Sequence, residues 1–134
     1  MPNHYHLLVR QDGEHLISRF IQSIFNSYVQ ALNKQIDRKG PLFEGRYKHI
    51  LVDEDEYLMH LMRYIHRNPV EARLVSLPDN WIFSNYLEFI GQPKGRLVDL
   101  SIRDMYFNSA DEYKEFVHDL DCKAPWQFDR FKLD

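Results

Sequence analysis

The chain has a single cysteine, Cys122, among 134 residues, which excludes an intramolecular disulfide framework and fits a reducing compartment. No apolar run approaches the roughly 20 residues that cross a bilayer, and no secretory signal pattern is visible. The expectation is no membrane role and a cytoplasmic location. A large excess of one charge is also lacking. The net formal charge is −3, far from the basic surplus of strong nucleic-acid binders. Residues 1–73 hold 10 Lys/Arg against 9 Asp/Glu, about +1, and residues 74–134 hold 7 against 11, about −4. Internal repeats and low-complexity segments are missing too. What remains, 44% hydrophobic and 28% charged residues, is the composition of one ordinary globular domain able to bury a sizeable core.

The stretch that organises the chain is Met1 to Val9. His4 and His6 are separated by Tyr5 and followed by Leu7, Leu8 and Val9. On a β-strand, with its side-chain period of two, both histidines share one face and Tyr5 takes the other. Two imidazoles roughly 7 Å apart on such a strand can converge on one ion or one phosphate. A spaced histidine pair in a short chain is also often incidental.

Arg10 to Glu14 reads as a turn, with Asp12 available as a cap and Gly13 loosening the backbone. Leu16, Phe20, Ile24 and Tyr28 then recur at spacing four, and Ile17, Ile21, Phe25, Val29, Leu32 and Ile36 broaden the stripe. This predicts a long amphipathic helix over residues 14–37, lying across a sheet and ended by Lys39, Gly40 and Pro41. Residues 42–52 carry Phe43, Tyr47, Ile50 and Val52 and favour a strand. Arg46 and Lys48 would share a face of that strand, either as a solvated face or as backbone-phosphate contacts. Asp53 with Glu56 three residues on predicts the start of a second helix, and Asn68-Pro69 predicts its stop. Within it Tyr57, Leu61, Tyr64 and Asn68 lie at spacings of four, three and four, so a phenol and an amide project together.

Beyond that helix, Val70 to Val75 predicts a helical turn. Trp81, Phe83, Tyr86, Leu87, Phe89 and Ile90 read as a packing patch on the main body rather than a base-stacking surface. Gly91 to Gly95 is a polar connection. Residues 97–106 and 109–120 predict two short helices, the second capped by Ser109 with Glu112 in the box position. Their apolar residues, from Leu97 to Val117, would close a small satellite core. Trp126, Phe128 and Phe131 mark an acidic, aromatic end that packs on the body or on a partner.

Four blocks in fixed order carry a resemblance: MPNHYHLLV, GPLFEGRYKHILVD, YLMHLMRYIHRNPVEARLV, and Trp81-x-x-Ser84-x-Tyr86. Together they resemble the IS200-like tyrosine transposases, and among them the branch associated with repetitive extragenic palindromes. The resemblance covers residues 1–90. It implies a metal-dependent single-stranded DNA endonuclease and strand transferase of the histidine-hydrophobic-histidine class. By motif, His4 and His6 look like paired metal ligands, Tyr64 like the nucleophile and Asn68 like the third protein ligand. Tyr57 is the rival nucleophile. The implied ion is Mg²⁺ or Mn²⁺, although imidazole ligands also permit Zn²⁺. Tyr64 would attack a scissile phosphate, giving a 5′-phosphotyrosine and a 3′-hydroxyl, with no nucleotide cofactor.

The implied substrate is single-stranded or hairpin DNA, with nucleoid association when bound. Arg46, Lys48, Arg63 and Arg67 are candidate phosphate contacts. His66 faces away from Tyr64 and reads as a surface or DNA-contacting residue. His60, one turn before Tyr64, reads as an orienting or surface residue. His15, His49 and His118 have no grouping that argues for catalysis.

The resemblance also implies an α/β fold: a ferredoxin-like transposase domain with a small antiparallel sheet, long covering helices and a helical C-terminal extension. The expected division is 1–90 for the catalytic domain and 91–134 for the extension. The family has a strand, a helix and a strand before the Met-Pro-Asn-His block, whereas this sequence begins inside it. An N-terminally truncated relative, or a displaced start site, is therefore expected, with only residues 3–9 and 43–52 left as strands. A homodimer, with active sites assembled in cis or in trans, is the expected partner arrangement. Two other classes stay open: a non-catalytic hairpin-binding relic and a structural oligomer without DNA function. The first would bind hairpin DNA without forming a tyrosine adduct. A positive patch converging beside His4 and His6 would count against the second.

Overall fold

Helices and the turns between them form the regular structure of the computed structural model, which describes residues 1–92, 95 and 97–122. The order is α1 (Ile17–Gln35), α2 (Asp55–Glu71), a 3₁₀ turn (Pro78–Asn80), α3 (Tyr86–Phe89), α4 (Ser101–Asp104) and α5 (Ala110–His118). The chain divides into two units, one of residues 7–49 and one of residues 1–6 with the described residues from 50 onward. Among the described residues no helix is long and apolar enough to cross a membrane.

The expected α/β architecture is not what the chain forms. Among the described residues there is no strand, and so no antiparallel sheet and no ferredoxin-like layer. Residues 3–9 and 43–52, expected as strands, lack regular secondary structure. The reason is that β-propensity describes a fit to a pleated, half-buried surface, and a strand exists only with a partner. Two short segments pair marginally at best. With the sheet goes the expected role of α1 as its cover, and the strand face on which Arg46 and Lys48 were to align.

In the 7–49 unit, α1 forms where the spacing predicts a helix but starts later than residue 14, and Leu16, Phe20, Ile24 and Tyr28 of the predicted stripe are exposed while Ile21 is buried. Asp12 does not cap it. Arg10 Nε holds the Asp12 carboxylate at 2.7 Å, and Gln11 Oε1 accepts the Ile17 N–H at 3.2 Å. The helix ends before Gly40: Asp37 takes the left-handed conformation (φ 50°) and the Arg38 N–H returns to the Asn33 carbonyl at 2.8 Å. That is the long bond of a Schellman ending, in which a short polar residue tolerates the positive φ. Arg38 and Asn33 then draw the following loop back, bonding the carbonyls of Pro41 (2.7 Å) and Gly40 (2.9 Å). Phe43 reaches Phe25 edge-on, with centroids 5.4 Å apart.

The other unit is built around α2. Its Tyr57, Met62, His66 and Pro69 are buried, as are Tyr86, Leu87 and Phe89 around α3 and Phe107, Tyr113 and Val117 around α5. Tyr86, Tyr113 and Val117 are fully enclosed. Rings meet at 5.0–5.2 Å between Phe107 and Tyr113, Phe107 and Phe116, and Phe89 and Tyr113. Centroids at such separations in edge-on or tilted pairs are the favourable aromatic geometries. The patch from Trp81 to Ile90 thus packs as predicted at its Tyr86–Phe89 end, while Phe83 stays exposed. Of the residues expected to close a satellite core, Phe107, Tyr113 and Val117 are buried in this one, while Leu97 is exposed.

Boundaries of α2 depart from the sequence reading at both ends. Glu54 is the N-cap without a side-chain hydrogen bond, so no capping box forms. Asp55 instead accepts the Tyr106 hydroxyl at 2.8 Å. At the far end the helix runs through Pro69 to Glu71. It stops in a full Schellman motif: Leu74 N–H to the Pro69 carbonyl, 2.9 Å, and Arg73 N–H to the Val70 carbonyl, 2.8 Å, with Arg73 at φ 58°. For α5 the predicted cap is present, with Ser109 Oγ accepting the Glu112 N–H at 3.0 Å. The Glu112 carboxylate reaches back to the Asn108 N–H at 2.6 Å. The expected aromatic end with Trp126, Phe128 and Phe131, and Pro93 of the connection, lie outside the described residues.

Candidate active site

The first six residues run along the α2 unit, with His4 and His6 half-buried and Tyr5 exposed between them. The alternation predicted from a period of two is therefore seen in burial, although no strand carries it. The two imidazoles lean together, centroids 5.1 Å apart and nearly perpendicular. His4 Nδ1 donates to Asn3 Oδ1 at 2.9 Å. An amide oxygen can only accept, so in the neutral imidazole this bond puts the proton on Nδ1 and the lone pair on Nε2. A neighbour that holds the other ring nitrogen is a common support for a metal-ligating histidine.

His6 meets Tyr64 edge-on, with centroids 5.5 Å apart and planes at 71°. One turn later on the same face of α2 comes Asn68, which is 7% exposed. Its Oδ1 is buried and has no hydrogen-bond partner among the described residues. A buried amide oxygen left in that state costs about 1–3 kcal/mol, so it calls for a ligand. Two imidazoles and one amide oxygen form a neutral N/O donor set that suits a divalent cation and leaves room for water and phosphate oxygens. Among the described residues no three His, Cys, Asp or Glu side chains form a group that could hold a metal ion.

Of the two tyrosines weighed as nucleophile, Tyr57 is 6% exposed and burial raises its phenol above the ordinary value. Tyr64 is half-buried and lies beside His6. Arg46 and Lys48 are exposed in the other unit.

Arg63 and Arg67 are engaged with α5. Arg63 Nε donates to the Phe116 carbonyl at 2.9 Å and a second guanidinium nitrogen to the Asp119 carbonyl. Arg67 donates to the Val117 carbonyl at 3.0 Å and pairs with Glu71 at 3.0 Å. These carbonyls sit at the C-terminal end of α5, where a helix has no internal donors left and carries partial negative charge.

His66 corrects the expectation of a surface residue. It is 3% exposed and lies edge-on to Tyr86, Phe89 and Tyr113. Its Nε2–H donates to Asn85 Oδ1 at 3.1 Å, and its Nδ1 accepts the Tyr113 hydroxyl at 2.6 Å. Burial pushes the imidazole down to about 4, partly opposed by the Asn85 bond. Burial also raises the Tyr113 phenol, which stays a donor. The signal was in the sequence: Leu58, Met62 and His66 recur at spacing four on the apolar side of α2. His60 packs its ring against Phe116 at 5.6 Å, and its imidazole is lowered by burial and then by Arg63, with Glu56 opposing. His118, set aside from the sequence, contacts Asp79 (3.1 Å) and the Tyr86 hydroxyl (2.9 Å), bonding the 3₁₀ turn to the core.

Comparison with known proteins places these observations in a family. The profile of the family described as Transposase IS200 like matches residues 1–68, half of the chain, and takes in His4, His6, Tyr64 and Asn68. A search of curated proteins and one of solved structures found no match. The chain belongs to the IS200-like transposases, and its function is of transposase type, on DNA.

Proposed function

We propose that this chain is a metal-dependent endonuclease and strand transferase for single-stranded DNA at hairpin-flanked sites, with Tyr64 as its nucleophile. The observation that supports this reading best is the seating of His6 against Tyr64 at 5.5 Å. The buried Asn68 amide, one turn along the same helix, adds to it. His4, His6 and Asn68 would hold Mg²⁺ or Mn²⁺. Such an ion, when bound, makes the scissile phosphate more electrophilic and eases ionisation of a phenol whose reference pKa is about 10.

The remaining chemistry is that of the chain itself. The Tyr64 oxygen bonds to phosphorus as the bond from phosphorus to the 3′-oxygen breaks, and the phenol proton is made up on that oxygen. The products are a 5′-phosphotyrosine and a 3′-hydroxyl. Because one phosphoester replaces another, a second 3′-hydroxyl can reverse the step and join strands without a nucleotide cofactor. A rigid helix serves this purpose, since the attacking oxygen must be held about 3–3.5 Å from phosphorus and in line. Arg46 and Lys48 are the proposed contacts to backbone phosphates. The same reading places the chain in the branch associated with repetitive extragenic palindromes, acting as a homodimer in the cytoplasm.

The test is incubation with a pool of single-stranded hairpin DNAs, with and without Mn²⁺, read on denaturing gels. Cleavage that needs Mn²⁺ and disappears in Tyr64→Phe and Asn68→Ala is expected. Binding without cleavage, with a verified cognate hairpin in the pool, would replace this reading with that of a hairpin-binding relic.

A further inference from the structure

Three side chains that flank Tyr64 on α2 fasten to the part of the chain beyond the family match. Residues 63, 66 and 67 lie about 100°, 160° and 60° around the helix from Tyr64, all to one side of it. Arg63 and Arg67 bond the carbonyls of Phe116, Val117 and Asp119 at the end of α5. The Arg63 guanidinium also lies over the Phe116 ring, 5.8 Å from its centroid. His66 is bonded to Tyr113 of α5 and to Asn85. These α2 side chains fall within residues 1–68, and each of these partners falls after them.

From this we infer that the C-terminal half of the chain is a scaffold that fixes the rotation and height of α2, with Arg63 and Arg67 as positioning residues for Tyr64. The inference rests on reading Tyr64 as the nucleophile. It assigns the two arginines to main-chain carbonyls instead of DNA phosphates. A planar guanidinium can hold two acceptors at once and so resists rotation of the helix that carries it. Arg67 is committed twice over: its side chain is 12% exposed and its charge is met by Glu71. Both arginines adjoin Tyr64 in space along the helix, so a slip of α2 on α5 displaces the phenol directly. A misplacement of about 1 Å can cost a reaction on the order of 10²-fold.

The experiment compares the whole chain with its Arg63→Met/Arg67→Met and Arg63→Lys/Arg67→Lys double variants. The probe is a hairpin oligonucleotide that the unaltered chain joins covalently in Mn²⁺. Expected in the Met variant are amide exchange across residues 64–68 faster by at least about tenfold and an adduct rate at saturating DNA lower on the order of 10²-fold. The half-saturating DNA concentration and its salt dependence stay unchanged, and the Lys variant recovers most of the rate. A raised half-saturating concentration with a salt slope smaller by about one per arginine would mark phosphate contacts and overturn the inference. Unchanged exchange and rate would overturn it equally. If the double variant fails to fold, Arg67→Met alone, which keeps both carbonyl bonds of Arg63, carries the same comparison. Absence of any adduct from the unaltered chain would sink the reading of Tyr64, and this inference with it. An adduct of equal rate in all variants would sink the scaffold alone.

Discussion

Acid should unfold the α2 unit through His66. In the folded chain this imidazole stands at about 4, against 6.5 for an ordinary histidine, because it is sealed among aromatic rings. Between those values the unfolded chain binds a proton that the folded chain refuses, so stability rises with pH across the window. The contribution is fully present above about pH 6.5, falls as the pH drops, and is lost below about pH 4. The shift amounts to roughly 3 kcal/mol in all, of which about 2 kcal/mol is lost between pH 7.5 and pH 5. Other groups titrate over the same range, so the comparison must be with His66→Gln, which keeps hydrogen-bonding capacity but does not ionise. Urea unfolding at half-unit steps from pH 7.5 to 5 gives both stabilities. The variant starts less stable, having one amide for the two partners Tyr113 and Asn85, and the gap narrows by about 2 kcal/mol at pH 5. A gap that stays constant would mean that His66 titrates normally, and the sealed network would be refuted.

Two further outcomes follow from the helix ends. Arg73 closes α2 at φ 58°, a conformation that costs an ordinary L-residue about 1–2 kcal/mol. After allowance for the freedom glycine has in the unfolded chain, Arg73→Gly should stabilise by about 0.5–1 kcal/mol in thermal or urea unfolding. Ser109→Ala, which removes the acceptor for the Glu112 N–H, should destabilise by about 1 kcal/mol. It should do so without altering the pH profile.

What could be read from the sequence was local. The spacing of Leu16, Phe20, Ile24 and Tyr28 located α1, and Ser109 with Glu112 located the start of α5, because periodicity and capping involve neighbours in the chain. Helix ends were less legible. Asp37 and Arg73 supply the left-handed residues that sequence reasoning assigned to Gly40 or left to Pro69. The sheet failed as a prediction because Phe43, Tyr47, Ile50 and Val52 advertise a strand without stating whether a partner exists. At the site, the His4/His6 pair and the Tyr64/Asn68 spacing were both visible, but no spacing rule brings His6 to Tyr64. That meeting depends on the path of the whole chain, and the resemblance left open whether it would occur within one chain or between two. The engagement of Arg63 and Arg67 with α5 was hidden for the same reason, since basic residues on a helix look alike whether they face phosphate or carbonyl. His66 was legible and misread, as a histidine in line with Leu58 and Met62 belongs to the apolar face.

On the reading proposed above, Tyr64, beside His6, forms a covalent bond to DNA. The most direct measurement is proteolysis and mass spectrometry of the chain after reaction with a cleaved hairpin in Mn²⁺, to locate the nucleotide-bearing peptide. The expected product is a 5′-phosphotyrosine on Tyr64, absent when the ion is removed. A nucleotide on Tyr57, or cleavage of the cognate hairpin with no tyrosine adduct, would contradict it.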